Sequence, residues 1–254
     1  MRIAQSALDY ALSPLTLLTS LPLARLRMNL PLANPALFPV AGLLIGAILV
    51  ALDALTRSLL PSPANSALVV VALAALTGGL HLDGLADAAD GLFGGRDRAR
   101  RLAIMRDPYT GAFGVAAIVS VLLLKWGALI PLEGWLRLGS LLLAPAIARW
   151  SLLLPMMLFP SARHEGMAFE LQSKSRWSQA ALGTAITAGL SLAIFWPAGA
   201  ALAGAALIVA LVIGSYATRS VGGLTGDVFG TMVETNEAFL FLLVATSVSH
   251  PWLT

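Results

Sequence analysis

Long apolar runs, separated by short polar segments, dominate the pattern of residues along this chain. Seven of the runs approach the length of about 20 residues that a membrane-spanning helix needs. They predict spans at about 38–58, 64–80, 112–132, 139–160, 179–196, 198–216 and 237–253. Residues 8–23 are also apolar, but Pro14 and Pro22 interrupt them, so we expect an interfacial or re-entrant segment there. The pattern therefore predicts an all-α, polytopic integral membrane protein with about seven transmembrane helices, forming one domain over residues 1–254.

The composition agrees with this pattern. Hydrophobic residues make up 58% of the chain and charged residues only 11%, and the mean hydropathy is +0.84. These values exclude a large soluble domain. Cysteine is absent, which excludes disulfides and thiolate metal sites.

The sixteen Lys and Arg residues indicate how the spans are oriented. If the N-terminus lies in the cytoplasm, only Arg57 and Arg137 fall outside, while Lys125 and Arg149 fall within spans. All the others then lie on the cytoplasmic side, as the positive-inside rule requires. The sequence pI of about 9.8 therefore indicates topology, and no nucleic-acid partner is predicted. The same orientation places three polar loops in the cytoplasm: 81–111, 161–178 and 217–236.

An acidic cluster lies in the first of these loops, within residues 77–95. Asp83, Asp87 and Asp90 are spaced by four and seven residues, which places them within roughly 60° of one another on one helical face. Carboxylate oxygens are ligands that Mg²⁺ prefers, and Mg²⁺ usually binds one or two carboxylates together with substrate phosphates. The cluster therefore predicts a magnesium site that holds an anionic substrate. His81 is a further candidate, either as a metal ligand or as an acid or base.

A second glycine-rich motif with acidic residues lies on the same predicted side of the membrane. Residues 222–230 read GGLTGDVFG, and Glu234 follows at a spacing that shares a helical face with Asp227. Gly-rich turns such as Gly222-Gly223 expose backbone N–H groups that can bind phosphate. Asp227 and Glu234 are therefore candidates to complete a metal site split between two segments.

Three other polar residues are candidates for binding substrate. Arg96 begins an arginine-rich segment that follows the acidic cluster, and the planar guanidinium fork suits a diphosphate. Arg149 lies in mid-span, where a charge costs a few kcal/mol on insertion scales, so we expect an internal carboxylate or a substrate phosphate as its partner. Lys125 is also in mid-span, but its long side chain is expected to snorkel to the interface. Glu165 lies in a polar turn, residues 163–166, on the same side.

These motifs resemble those of the cobalamin synthase family, also called adenosylcobinamide-GDP ribazoletransferase. The match is nearly continuous over residues 77–114, from GGLHLDGLADAADGLFGG to RRLAIMRDPYTGAFG. Residues 222–230 followed by Glu234, and the turn ARHEGM at 162–167, resemble two further motifs of the family. The N-terminal LLTSLPLAR resembles the opening motif, although Ser20 stands where a basic residue is usual.

The resemblance implies a bacterial inner-membrane, Mg²⁺-dependent phosphotransferase of the last stage of cobalamin biosynthesis. Its substrates would be adenosylcobinamide-GDP and α-ribazole or α-ribazole 5′-phosphate. The products would be adenosylcobalamin, or its 5′-phosphate, and GMP. The sequence leaves open which acceptor is preferred and how many metal ions bind. It also leaves open whether the chain forms a homo-oligomer or associates with other late enzymes of the pathway.

The candidate residues fit this phosphoryl transfer, which depends mainly on positioning and charge neutralisation. The sequence predicts catalytic roles for Asp83, Asp87 and His81. It predicts metal ligation by Asp83, Asp87, Asp90, Asp227 and Glu234, and substrate binding by Arg96, Arg149, Glu165, Gly222 and Gly223. Which carboxylate acts as the base and which as a ligand stays open.

Two other functions agree less well with these residues. A CDP-alcohol phosphotransferase-like lipid synthase would need an Asp three residues before Asp83 and an Arg after the Ala, but this chain has Leu80 and Asp87 there. A cation transporter with an Asp-lined path would place its ligands near the bilayer midplane, often in paired repeats. Here most acidic residues cluster towards one surface, and no internal repeat is evident.

Overall fold

The computed structural model describes Pro14, Leu18 and residues 34–250 and 252–253. Apart from Pro14 and Leu18, the segment predicted at 8–23 lies outside the described residues, as does the N-terminus whose orientation was predicted. A short 3₁₀ turn, Pro35–Leu37, leads into the first long helix. The α-helices in the described part of the chain are α1 (Phe38–Thr56), α2 (Ser62–Leu76), α3 (Leu80–Gly94), α4 (Arg98–Ile104), α5 (Ala112–Leu129), α6 (Gly134–Trp150), α7 (Leu153–Leu158), α8 (Met167–Lys174), α9 (Trp177–Ile194), α10 (Ala198–Val221) and α11 (Gly226–Ser249).

The fold confirms the predicted class: an all-α, multi-pass membrane protein. Five helical segments are long and apolar enough to cross a membrane: Pro35–Thr56, Ala112–Leu129, Gly134–Leu158, Ala198–Val221 and Gly226–Ser249. The pair α2 and α3 gives a sixth if it is counted as one broken span. Each of the seven predicted spans overlaps a helix, so the predicted number is roughly consistent with the structure.

The last predicted span begins too late. It was placed at 237–253, but α11 runs from Gly226 to Ser249. Glu234 and Glu237 lower the hydropathy of this region, although both side chains are buried in the bundle. The second Gly-rich motif therefore opens a membrane helix instead of ending a loop.

A sharp bend separates α2 from α3. The two helix axes differ in direction by 86°. Gly78 and Gly79 form the bend with φ values of +61° and +72°, a left-handed conformation that residues with a side chain rarely adopt. As a result, α3 runs nearly perpendicular to α2.

The loops separate into two groups, one at each end of the bundle. At one end, the Ser62 hydroxyl donates to the Ile130 carbonyl at 2.8 Å, and Arg137 pairs with Asp53 at 2.7 Å. At the other end, Arg101 donates to the Ser220 carbonyl at 3.3 Å, and the Ala162 N–H donates to the Leu224 carbonyl at 2.9 Å. The loops that carry the motifs thus meet at one end, as the predicted layout required. Arg137 therefore lies at the end of the bundle that is opposite to the motifs.

Within the bundle, the most extensive helix contacts join α1 to α6 and α11 to α3. The contact between α11 and α3 brings the two acidic motifs together.

Candidate active site

The first acidic motif forms the predicted helix, α3. Asp83 is exposed and Asp87 is partly exposed on this helix. Gly79, in the bend, immediately precedes the helix, so Asp83 lies in its first turn. A carboxylate is stabilised there by the partial positive charge of the helix amino terminus.

Asp90, a predicted metal ligand, lies buried against the beginning of α5. Its side chain is only 7% exposed, and both of its oxygens accept backbone hydrogen bonds. Gly111 donates to Oδ2 at 2.6 Å and Gly114 donates to Oδ1 at 2.9 Å. Because these N–H groups lie at the beginning of α5, Asp90 supplies hydrogen-bond acceptors to a helix end that lacks its own. The accessible part of the acidic face is therefore formed by Asp83 and Asp87.

The Gly-rich turn that precedes α11 is held by a neighbouring loop. Ser161 and Leu224 form a parallel bridge, and the Leu224 N–H donates to the Pro160 carbonyl at 2.8 Å. A Cβ on Gly223 would collide with the backbone of residues 160–162, so only glycine permits this approach. Thr225 then caps α11 by accepting a hydrogen bond from the Val228 N–H at 3.2 Å.

Gly222 and Gly223 were predicted to bind phosphate through their backbone. In the structure, the Arg98 guanidinium lies within 2.7 Å of the position that a Gly222 Cβ would occupy. Gly223 faces the 160–162 backbone. Both glycines therefore shape the turn that positions Asp227.

Two glycines allow α3 and α11 to approach each other closely. A Cβ on Gly84 would lie 3.1 Å from the Asp227 Cα, and a Cβ on Gly230 would lie 2.9 Å from the His81 carbonyl oxygen. This contact places Asp227 next to the acidic face of α3. The negative charges of Asp83 and Asp227 both act on the Asp87 carboxylate. The predicted split arrangement, two acidic segments meeting at one end of the bundle, is present.

A mainly apolar cavity of about 350 Å³ opens beside this contact, and we call it the apolar cavity. Asp83, Gly84, Asp227 and Gly230 line one part of it. The rest of its wall is largely apolar and includes Phe38, Leu80, Met156, Leu171 and Phe229. Two carboxylates from different helices thus face one largely apolar cavity.

A second cavity, of about 700 Å³, lies between α4 and the 162–165 loop, and we call it the basic cavity. Its lining combines small and apolar residues of α4 with four polar residues: Arg106, Arg163, His164 and Glu165. At its edge, Arg106 and Glu165 form an exposed ion pair at 3.1 Å. Arg163 pairs with Asp227 at 3.6 Å, so this ion pair connects the two cavities.

Two predicted site residues, Arg149 and Glu234, lie instead in a buried charge cluster, which we define as Lys125, Arg149, Glu234 and Glu237. Lys125 donates to Glu234 at 2.6 Å and to Glu237, and Arg149 donates to Glu237 at 2.6 Å. Each of these side chains is at most 4% exposed. The partner expected for Arg149 is thus an internal carboxylate, and neither Arg149 nor Glu234 is open to the cavities.

Lys125 does not snorkel to the interface, because its side chain is 2% exposed and its ammonium group is paired inside the bundle. Lys125 and Arg149, charged residues in the middle of two predicted spans, were a signal for such a cluster. The sequence did not show which of them pair.

The remaining candidates differ in their surroundings. His81 is 4% exposed, and the charges that act on its imidazole are those of Arg149, Glu237 and Lys125. Its Nδ1 atom has no hydrogen-bond partner among the described residues. Arg96 is exposed on the same end of the bundle as the acidic face. Arg163 lies in the polar turn that the sequence singled out, but it was not among the predicted site residues, because its pairing with Asp227 joins segments that are distant in sequence.

No preformed metal site was found among the described residues: no three His, Asp or Glu side chains are arranged to hold a metal ion. Mg²⁺ usually binds only one or two carboxylates and completes its coordination with water and substrate phosphates. Asp83 and Asp227, which line one cavity, fit that mode.

Comparison with known proteins adds to this geometry. The family model of cobalamin-5-phosphate synthase matches residues 10–245. The chain belongs to the cobalamin-5-phosphate synthase family. No solved structure matches it significantly.

Relatives with the name adenosylcobinamide-GDP ribazoletransferase cover most of the chain. The protein of Pseudomonas paraeruginosa is 39% identical over 247 residues, which are 95% of this chain and 99% of the relative. That of Desulforamulus reducens is 36% identical over 209 residues, 81% of this chain and 84% of the relative. That of Bradyrhizobium diazoefficiens is 38% identical over 211 residues, 82% and 80% of the two chains. These matches confirm the resemblance to the cobalamin synthase family and support neither the lipid synthase nor the transporter. A member of this family is a transferase.

Proposed function

We propose that this protein transfers the cobinamide phosphate group of adenosylcobinamide-GDP to α-ribazole or its 5′-phosphate, forming adenosylcobalamin or its 5′-phosphate and releasing GMP. The names of its relatives support this reaction. The observation that carries the proposal is the meeting of Asp83 and Asp227, from separate helices, at one cavity.

The chemistry requires a nucleophile, a leaving group and neutralised charge. The ribazole 3′-hydroxyl attacks the phosphorus attached to cobinamide, a P–O bond forms, and the bond from that phosphorus to the bridging oxygen of GMP breaks. A carboxylate among Asp83, Asp87 and Asp227 accepts the hydroxyl proton. The largely apolar wall of the cavity limits the water that could compete as nucleophile.

One or two carboxylates among Asp83, Asp87 and Asp227 would also hold Mg²⁺, together with the substrate phosphates. When bound, the ion neutralises charge on the diphosphate and on the leaving oxygen. Asp90 is not part of this proposed ligand set, because its oxygens bind the α5 backbone. Glu234 is not part of it, because it is paired with Lys125.

We further propose that the protein resides in the bacterial inner membrane with its N-terminus and catalytic end in the cytoplasm. The distribution of Lys and Arg supports this orientation. The nucleotide-linked substrate would then reach the active site from the cytoplasm, and GMP would be released into the cytoplasm.

The reaction is tested by measuring GMP release from adenosylcobinamide-GDP and α-ribazole with purified, detergent-solubilised protein. We expect Asp83→Asn and Asp227→Asn each to lower turnover by about 100-fold or more at saturating Mg²⁺, because each removes a carboxylate that would hold the metal ion or accept the hydroxyl proton. Glu170→Gln is the matched control, because Glu170 is an exposed carboxylate at the same end and pairs with the exposed Lys174.

Full turnover by either Asp variant would show that the two-helix acidic site is wrong. Absence of GMP release by the unaltered protein, with both substrates and Mg²⁺ supplied, would contradict the proposed reaction itself.

A further inference from the structure

The guanidinium of Arg163 has unused hydrogen-bonding capacity. Its contact with Asp227 is 3.6 Å long, beyond the 2.7–2.9 Å of a charge-assisted hydrogen bond. The Nε and Nη2 atoms of Arg163 are buried and lack hydrogen-bond partners within the described part of the chain. Buried donors without partners are unfavourable, so their presence indicates a missing acceptor.

The backbone around Arg163 is fixed. The Ala162 N–H donates to the Leu224 carbonyl at 2.9 Å, and the Ser161 hydroxyl donates to the Arg163 carbonyl at 2.7 Å. Ser161 also forms the parallel bridge with Leu224. Because these contacts hold the turn, the guanidinium of Arg163 lies at a defined place between the two cavities, beside Asp227.

The basic cavity has the chemistry of an anion site with an apolar wall. Arg106 and His164 line it together with Arg163, and Glu165 is the acidic residue of its lining. Ala99, Leu102 and Ala103 form a wall of small and apolar side chains on α4. Its volume of about 700 Å³ falls in the range of sites that hold small-molecule ligands.

We propose that the basic cavity binds the nucleoside diphosphate part of the donor, and that Arg163 binds its phosphate. The Arg163 donors turn from the long contact with Asp227 to phosphate oxygens, which brings the diphosphate next to Asp83 and Asp227. The apolar cavity then remains for the acceptor. This inference rests on the proposed function, since it assigns one of that reaction's substrates to a place.

The test measures GDP binding to the purified full-length chain by titration calorimetry with Mg²⁺ present, alongside steady-state kinetics. We expect Arg163→Ala to raise the Kd for GDP by about 10- to 100-fold, as for loss of hydrogen bonds to a charged group. The donor KM should rise with it, while the ribazole KM stays unchanged. Arg163→Lys should recover part of the affinity, because it keeps the charge but not the planar fork.

Lys174→Ala is the control for a loss of positive charge at the same end, because Lys174 is exposed and forms an exposed ion pair with Glu170. It should bind GDP as the unaltered protein does. If Arg163→Ala fails to fold, Ala103→Trp tests the cavity separately, since Ala103 is exposed and a large side chain there fills the space. It should also weaken GDP binding.

Unchanged GDP affinity in folded Arg163→Ala, with only kcat reduced, would overturn the assignment in favour of an action on Asp227 alone. Unchanged affinity in Ala103→Trp would place the nucleotide elsewhere. If the unaltered protein binds GDP through Arg163 but releases no GMP from the donor, the proposed reaction fails and the binding site stands. If it turns over and both variants bind GDP normally, only this inference fails.

Discussion

The Asp90 carboxylate lies against the amino-terminal end of α5, where it accepts the Gly111 and Gly114 N–H groups. These are groups that a helix cannot satisfy internally, and a negative charge beside them also benefits from the helix dipole. Asp83 lies on the same helix but faces the apolar cavity. Two aspartates of one helix thus have different surroundings: Asp90 binds the backbone of α5, whereas Asp83 lines a cavity.

Asp90→Ala is therefore expected to reduce stability more than metal affinity. Losing the carboxylate leaves two buried or partly buried N–H groups without an acceptor, which should lower the free energy of unfolding by about 1–3 kcal/mol. Thermal unfolding in detergent measures this loss, and the Mg²⁺ dependence of turnover measures metal affinity. Asp107→Ala is the control, because Asp107 makes one exposed hydrogen bond with the Tyr109 backbone. Normal unfolding combined with a raised Mg²⁺ requirement would restore Asp90 to the metal site.

At the scale of helices, the contact between α3 and α11 determines the geometry of the site. Gly84 and Gly230 remove the side chains that would keep the two backbones apart. The contact therefore holds Asp83 and Asp227 at one cavity although about 140 residues separate them in sequence. Small residues at such interfaces are the usual means by which membrane helices approach closely.

Gly230→Ala should push α11 away from α3. The added Cβ would lie 2.9 Å from the His81 carbonyl oxygen, a rigid backbone atom. We expect a loss of about 1–3 kcal/mol in unfolding free energy, with a clear fall in GMP release as the carboxylates separate.

Gly204→Ala is the matched control for this substitution, because Gly204 lies within α10 and its Cβ would have nothing within 4 Å. There the better helix propensity of alanine should stabilise the protein by up to about 1 kcal/mol. Equal stability and activity in the two variants would show that the α3–α11 contact is not tight.

The helices and the two acidic motifs were predictable from the sequence, because periodicity, hydropathy and local spacing are local properties. The beginning of α11 was not, because Glu234 and Glu237 lower its hydropathy while their partner Lys125 lies 109 and 112 residues away. The role of Arg163 was not predictable either, since it depends on a turn held by Leu224. What the sequence missed depends on contacts between distant segments.

At the scale of the whole molecule, six buried charged side chains in the described part of the chain form two neutral groups at different levels of the bundle. The buried charge cluster joins α5, α6 and α11 with two cations and two anions. Nearer the other end, Arg137 pairs with Asp53 at 2.7 Å and joins α6 to α1. Because every one of these ions has a partner, a bundle with few charged residues can keep them inside a membrane.

The separation of loops into two ends permits a direct test of orientation. The chain has no cysteine, so one introduced cysteine is the only thiol. Ser58 is exposed in the turn between α1 and α2, and Ser173 is exposed on α8 at the end that carries the active site. In intact spheroplasts, a membrane-impermeant maleimide should label Ser58→Cys and leave Ser173→Cys unlabelled, whereas inside-out vesicles should give the reverse.

The unaltered, cysteine-free protein is the control and should remain unlabelled in both preparations. Labelling of Ser173→Cys in intact spheroplasts would show that the orientation is the reverse of the proposed one, with the acidic site outside the cytoplasm. That result would not contradict the proposed reaction, because GMP release in detergent depends on the contact between α3 and α11 and not on orientation in a membrane. It would contradict the orientation predicted from the distribution of Lys and Arg. The arginines around the basic cavity would then have to be explained by substrate binding alone.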